Sequence, residues 1–339
     1  MARNSAPTLE DVARMAGVST ASISRALNDP DKVAKQTRDK IEKAIEVLGY
    51  TPNFGGRALA SNRTNTVGAI IPSMANAMFA SGVQAFQEVL SEAGVNLLLA
   101  STGYDPEQEL RQIKALIAHG ADGLLLIGDE RPQATRDFLA KRHVQHVISW
   151  CFRPQSEQTY VGFDNRQAAY DATRRVLAMG HRRFAMISGV RDGNDRARDR
   201  HIGIEAAITD FGQGAALLHV EEAKYRLEFG GEAFSQILER PDTPTVIMCG
   251  NDVLAAGALM RARQMGIDVP GRVSLVGFDD IGLASVSNPP LATVRVPQIE
   301  MGRAAAKMLL AKLSGEPIEA PAPLSTEFIH RASLAAPPH

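Results

Sequence analysis

Two groups of residues in this chain of 339 amino acids have the types and spacing for binding chemistry. The first is Thr20, Ala21, Ser22, Ser24 and Arg25, a run of small side chains ending in a guanidinium. A face of that kind suits a DNA major groove, where Arg25 either reads guanine with two hydrogen bonds or grips a phosphate. The second is scattered: Ser73, Asn76 and Phe79; Trp150 and Phe152; Gly162 to Asn165; Asn194 to Arg200; Asn251 and Asp252; Asp279 and Asp280. Amides, carboxylates and guanidiniums hydrogen-bond hydroxyl groups, and an aromatic face covers the apolar side of a sugar ring. The set therefore suits a polyhydroxylated ligand. The chain shows no GxxxxGK phosphate loop, no serine nucleophile elbow and no metal-spaced histidines, so neither catalysis, a cofactor nor a metal is expected. Cys151 and Cys249 lie far apart and read as incidental thiols of a reduced compartment.

The first group needs a small helical scaffold. Thr8 is placed to cap a helix with Asp11 as its capping-box partner, and Leu9, Val12, Ala13 and Ala16 follow at helical spacing before Gly17. Ser19 offers a second cap, with Ile23, Ala26 and Leu27 as the buried stripe of a helix that bears the polar face. Thr37 to Leu48 reads as a third helix closed by Gly49, with Ala34 standing where a capping serine would serve. Two helices joined by a glycine turn make a helix-turn-helix, whose second helix enters the groove at its N-terminal end. Residues 1–50 are thus expected to form a DNA-binding head and 51–65 a linker or hinge helix.

The second group needs a different scaffold. From Val67 onward short apolar runs alternate with amphipathic stretches, the pattern of parallel sheets covered by helices on both faces. The expected strands are Val67–Pro72, Val95–Ala100, Gly123–Gly128, Val144–Trp150, Phe184–Ser188, Ala216–Val220, Thr245–Cys249 and Val273–Phe278. Two such units imply two lobes with a cleft between them, and ligands bind beyond the carboxyl ends of the strands, where the second group of residues falls. Charge divides the same way. Residues 1–65 carry 10 Lys and Arg against 7 Asp and Glu, a net +3, and the remainder is net −4. The head's attraction for phosphate is modest, so useful affinity calls for two copies. No apolar run is long enough for a membrane span, and Met1 to Ser5 lacks an apolar signal core, so a cytoplasmic protein is expected.

These motifs resemble the LacI/GalR family of bacterial transcription regulators. The similarity is carried by Thr8, Asp11-Val12-Ala13, Ala16-Gly17-Val18-Ser19, Ser24-Arg25, Asn28, Thr37-Arg38, Leu48-Gly49-Tyr50, Pro52-Asn53 and Ala58-Leu59-Ala60. It continues through Ile71-Pro72, Gly180-His181-Arg182, Arg200-His201-Ile202-Gly203, Asn251-Asp252, Val276-Gly277-Phe278-Asp279-Asp280 and Leu291-Ala292-Thr293-Val294. The resemblance implies that Thr8, Ser19, Thr20, Ala21, Ser22, Ser24, Arg25, Asn28, Thr37, Asn53, Arg57 and Leu59 face DNA. In the family the residue matching Leu59 is wedged between minor-groove base pairs. Gly55 and Gly56 each weaken a hinge helix by roughly 1 kcal/mol, so that segment is expected to order only on an operator.

For residues 66–339 the resemblance implies a periplasmic-binding-protein-like core. Lobe 1 would hold about 66–164 and 294–325, and lobe 2 about 165–293 and 326–339, with crossings near Asp164, Thr293 and Thr326. Arg200, Asn251 and Asp279 match effector-contacting positions, and Ser73, Asn76, Phe79, Trp150, Asp164 and Arg196 complete the expected effector set. The function implied is an operator-binding regulator, a homodimer controlled by a small sugar, sugar acid or sugar phosphate. Tyr104-Asp105-Pro106 and Val161 to Asn165 are similar to segments of gluconate-type regulators, which points to a sugar acid. The alternative is a periplasmic-type sugar-binding protein without a regulatory role. The tail from Ile329 has no leucine heptad, so a tail-mediated tetramer is not expected.

Overall fold

A computed structural model describes residues 7–51, 63–154, 156, 158–318 and 322–338. The chain divides into two compact units, 1–64 and 65–339. Asn53, Arg57 and Leu59 lie outside the described residues, as does all of 52–62.

The head is built on capped helices. Helix α1 spans Leu9–Ala16, and Thr8 forms the full capping box with Asp11. The Thr8 hydroxyl donates to Asp11 Oδ2 at 2.7 Å and accepts from the Asp11 amide at 3.3 Å. Gly17, at φ 67°, ends the helix in the left-handed region that glycine enters without steric cost. Helix α2 spans Thr20–Asn28, with the Ser22 amide donating to Ser19 Oγ at 3.1 Å. Helix α3 spans Lys35–Leu48, and Ala34 provides no side-chain cap. Val12, Ala13, Ile23, Ala26, Ile41, Ala44 and Tyr50 close the core of the unit.

The second unit begins with a five-stranded parallel sheet, order β2-β1-β3-β4-β5. Its strands are Thr66–Ile71 (β1), Asn96–Ser101 (β2), Gly123–Ile127 (β3), Gln145–Ser149 (β4) and Tyr160–Val161 (β5). Alternation along the strands sends side chains to two cores. Val67, Ala69, Ile71, Leu125 and Ile127 face one core, while Ile70, Leu124 and Leu126 face the other with Ile113, Leu116 and Leu139. The covering helices are Ala77–Glu92 (α4), Pro106–Ala118 (α5) and Gln133–Lys141 (α6).

A four-stranded parallel sheet, order β7-β6-β8-β9, forms the second lobe. It comprises Arg183–Gly189 (β6), Ala216–Ala223 (β7), Val246–Cys249 (β8) and Ser274–Val276 (β9). Here Phe184 and Met186 face the core shared with the first lobe, and Ala185 and Ile187 face a separate one. Its helices are Asn165–Ala178 (α7), Asp195–Phe211 (α8), Leu227–Leu238 (α9), Asp252–Gln264 (α10) and the short Gly282–Val286 (α11). The antiparallel pair Thr293–Arg295 (β10) and Glu327–Ile329 (β11) joins the lobes. Gln298–Ser314 (α12) returns to the first lobe, where Gly302 sits so close to the Gly82 carbonyl on α4 that a Cβ would collide with it.

Asp252 anchors this joint. Its carboxyl, fully buried, accepts from Thr293 Oγ1 at 2.6 Å and from the Ile281 amide at 2.8 Å. Burial pushes its pKa up to about 7. A folded-state pKa above the unfolded value means this group favours folding most at low pH and loses that contribution as pH rises toward and through about 7. Asp252→Asn is therefore expected to flatten part of the fall in Tm over that rise; a variant with the wild-type slope would exclude this carboxyl as its source. In the head, Ala34→Ser supplies the missing cap and is expected to stabilise the unit by about 1 kcal/mol, read by thermal denaturation followed by circular dichroism.

Candidate functional site

The ends of the strands in both lobes meet around one narrow chamber, with about 10 Å³ of free space while the lobes are closed. The first lobe supplies Asn76, Phe79, Tyr104, Trp150 and Phe163, and the second Asn165, Asn194, Arg196, Arg200, Tyr225, Asn251 and Asp279. Of the residues expected from sequence, Asn76, Phe79, Trp150, Arg196, Arg200, Asn251 and Asp279 are brought together here. Two are not. Ser73 lies at the outer mouth, where its Oγ accepts from the Ala75 amide at 3.2 Å. Asp164 is a correction: its carboxylate caps α7, accepting from the Gln167 amide at 3.0 Å. One residue on, Asn165 takes the place at the chamber.

Helix geometry explains most of the polar lining. Asn76 and Asn251 cap α4 and α10, so the positions that end the preceding loops also bring amides to the cleft. Arg196 and Arg200 are four residues apart near the start of α8 and so share one face. Arg200 donates through Nη1 to Asn165 Oδ1 at 2.9 Å and through Nη2 to Tyr225 Oη at 3.2 Å. Its guanidinium lies 4.7 Å from the centroid of the Phe278 ring. Asn165 in turn donates to the Trp150 carbonyl at 2.9 Å, joining the lobes through neutral groups.

Three buried atoms in this chamber have no hydrogen-bond partner: Arg200 Nε, Trp150 Nε1 and Asp279 Oδ1. Two are donors and one is an acceptor. Asp279 is 2% exposed, and burial raises its carboxyl well above the ordinary range despite the nearby Arg200. Trp150 packs on Phe79 with ring centroids 5.6 Å apart and lies beside Gly82, where a Cβ would come within 2.5 Å of the indole.

Beside the chamber an ion-pair cluster crosses the cleft. Arg153, in the loop after β4, reaches Asp199 at 2.6 Å and Asp129 and Asp195 at 3.4 Å. Asp195 also accepts from the Asp129 amide at 2.8 Å and from Arg196 Nη1 at 2.9 Å. Burial opposes ionisation of Asp195, but these partners outweigh it and hold the carboxyl below its usual range. Arg198 adds a pair to Glu130 at 2.7 Å.

In the head, Thr20, Ala21, Ser24 and Arg25 are exposed on α2 and Ser22 is half-buried. Thr8 and Ser19 hold helix ends with their hydroxyls, and Thr37 is half-buried in the first turn of α3. Asn28 closes α2. Met78, Tyr104, Phe163, Asn165, Asn194 and Tyr225 are the chamber residues absent from the expected effector set.

Residues 8–53 match the lacI family of bacterial regulatory proteins, and residues 173–334 match a periplasmic binding protein-like domain. The chain is 32% identical over 337 residues to the HTH-type transcriptional repressor CytR of Escherichia coli K12, across 99% of this chain and 98% of that one. It is 34% identical over 332 residues to the HTH-type transcriptional regulator GalR of the same organism, across 97% and 96%. The crystal structure of a LacI-family transcriptional regulator from Silicibacter pomeroyi superposes with a TM-score of 0.88 at 29% identity, covering 97% of this chain and 99% of that one. Among the described residues no helix is long and apolar enough to cross a membrane. A helix-turn-helix head, two parallel-sheet lobes around a polar chamber and relatives matched along nearly their whole length give one result: the chain belongs to the LacI family of bacterial regulatory proteins.

Proposed function

We propose that this protein is a cytoplasmic, operator-binding repressor and not an enzyme, acting as a homodimer whose DNA affinity is set by a small polyhydroxylated effector. The observation that carries the effector half is the set of three unpartnered atoms in one chamber. Leaving a buried polar group unpaired is costly, and a hydroxyl, which donates and accepts, satisfies N–H and carboxylate alike. Trp150 and Phe79 offer the apolar surface that a sugar's C–H face needs. The exposed face of α2 supports the DNA half: Arg25 is long enough to reach a base edge or phosphate, while Thr20 and Ala21 give only a hydroxyl and a methyl contact. Two such heads would read half-sites about 34–36 Å apart.

Coupling follows from α8. Its first two turns carry both the chamber arginines and two of the three carboxylates that Arg153 clamps, Asp195 and Asp199, so a ligand that draws on Arg200 also fixes the helix that bridges the lobes. A change in lobe closure then changes how two heads are presented to an operator. Such coupling is reciprocal: operator binding must change effector affinity by the same factor.

The test is a gel-shift assay with fragments from the gene's own neighbourhood, with and without a panel of sugars and aldonates that is first screened by thermal shift. Retardation at low salt that changes with one panel member is expected. Arg200→Ala should retain retardation but lose effector affinity by roughly tenfold or more. Absence of retardation under every condition would overturn the DNA half, and a panel without response would overturn the effector half. Arg153→Ala leaves Asp195 with one cation fewer and is expected to weaken effector binding about tenfold while sparing the chamber contacts. A wild-type affinity in that variant would remove the ion-pair cluster from the coupling.

A further inference from the structure

We infer that Tyr104 and Tyr225 set a length limit on the effector, restricting it to a single sugar-sized unit held wholly between the lobes; this rests on the chamber being the effector site. Tyr104 comes from the first lobe and Tyr225 from the second, and their ring centroids stand 5.5 Å apart at an interplanar angle of 40°. Both rings line the inner chamber of about 10 Å³ and also the outer mouth, a space of about 470 Å³. The pair, together with Asn76 and Asn194, is thus the partition between the two.

Each ring is held in place. The Tyr104 amide donates to Thr102 Oγ1 at 3.2 Å, and the amides of Thr102 and Gly103 donate to the carbonyls of Ile71 and Pro72 at 3.1 and 2.9 Å. The loop after β2 is thereby fastened to the end of β1. Tyr225 accepts from Arg200 at 3.2 Å and from Asn194 at 3.4 Å. Its hydroxyl also lies against Gly189, where any Cβ would collide with it.

With the lobes closed the free space inside is about 10 Å³, room for about one water, so any ligand must part the lobes to enter and is enclosed as they close on it. The unpartnered Arg200 Nε, Trp150 Nε1 and Asp279 Oδ1 belong to the inner chamber, and no outer-mouth residue contributes one among the described residues. Recognition is therefore concentrated behind the tyrosines. A second ring passing between them needs about 7 Å, two layers at the 3.5 Å optimum of carbon contact, and the gap is smaller. A two-unit ligand would have to part the rings and with them the lobes.

The test is calorimetric binding of D-glucose, D-galactose and D-gluconate, and of the disaccharides maltose, lactose and cellobiose, to the full chain. Tyr104 sits at φ 67°, a conformation that glycine adopts freely, so Tyr104→Gly removes the ring with little backbone cost. Tyr104→Phe keeps the ring and removes only the hydroxyl. The wild type is expected to prefer a single unit over its disaccharide by roughly tenfold or more. Tyr104→Phe should keep that preference and Tyr104→Gly should erase it, with retention of DNA binding as the folding check. Equal wild-type affinity for unit and disaccharide, or an unchanged preference in Tyr104→Gly, overturns the length limit alone. A panel that binds neither wild type nor variants overturns the effector-site reading and this limit with it.

Discussion

The buried carboxylate of Asp195 is the interaction on which the closed core depends. At 2% exposure it is stable as an anion only because Arg153, Arg196 and the Asp129 amide converge on it. Arg153 and the Asp129 amide belong to the first lobe, while Asp195 and Arg196 begin α8 in the second. A carboxylate that needs donors from both lobes ties its own solvation to their closure. Opening the cleft returns water to it, so the closed arrangement gains pairing and the open one gains hydration. A small ligand that adds partners on the closed side shifts that exchange toward closure.

The chamber shows the other side of the same constraint. Its backbone is held in conformations that ordinary residues avoid: Tyr104, Trp150 and Asp279 have φ of 67°, 62° and 105°. Outliers of this kind persist where the surrounding fold fixes them. Asp279 is fixed by its amide, which donates to Val294, and by its carbonyl, which accepts from Gln298 at 2.8 Å. β10 and the first residue of α12 thus determine where that carboxyl points. Trp150 is fixed by its carbonyl bond to Asn165 and by the missing side chain at Gly82. Residues remote in sequence are brought to the chamber by the crossings between lobes.

Much of the architecture is legible in the chain because its signals are local. The capping box at Thr8, the glycine ends at Gly17 and Gly49, and the alternation of short apolar runs with amphipathic stretches all act within a few residues. What escapes is set by element boundaries. Ending β7 at Val220 hides Tyr225, because the strand runs on to Ala223 and the tyrosine stands just beyond its true end. Starting α7 at Gln167 favours Asp164 for the ligand, whereas the helix begins at Asn165 and takes Asp164 as its cap. Tyr104 follows β2, an edge strand whose end held no residue of the expected set. Helix α12 packs closely on another helix through a buried face of Met301, Gly302, Ala305, Ala306 and Leu309, and the three small residues among them blur its apolar stripe.

Enclosure has a kinetic meaning as well as a steric one. A chamber narrowed by one aromatic ring from each lobe, with room inside for about one water, admits no sugar while the lobes are closed. The effector must then meet an open form, and closure must follow. Binding free energy is divided between contacts in the chamber and the shift of the lobe equilibrium, and only the differential affinity for the closed form moves that equilibrium. A ligand held by just one lobe would bind without switching. Arg200 and Asp279 from one side, with Asn76 and Trp150 from the other, ensure that a ligand satisfying all of them engages both lobes at once. The same geometry that makes the site small makes occupancy and closure one event.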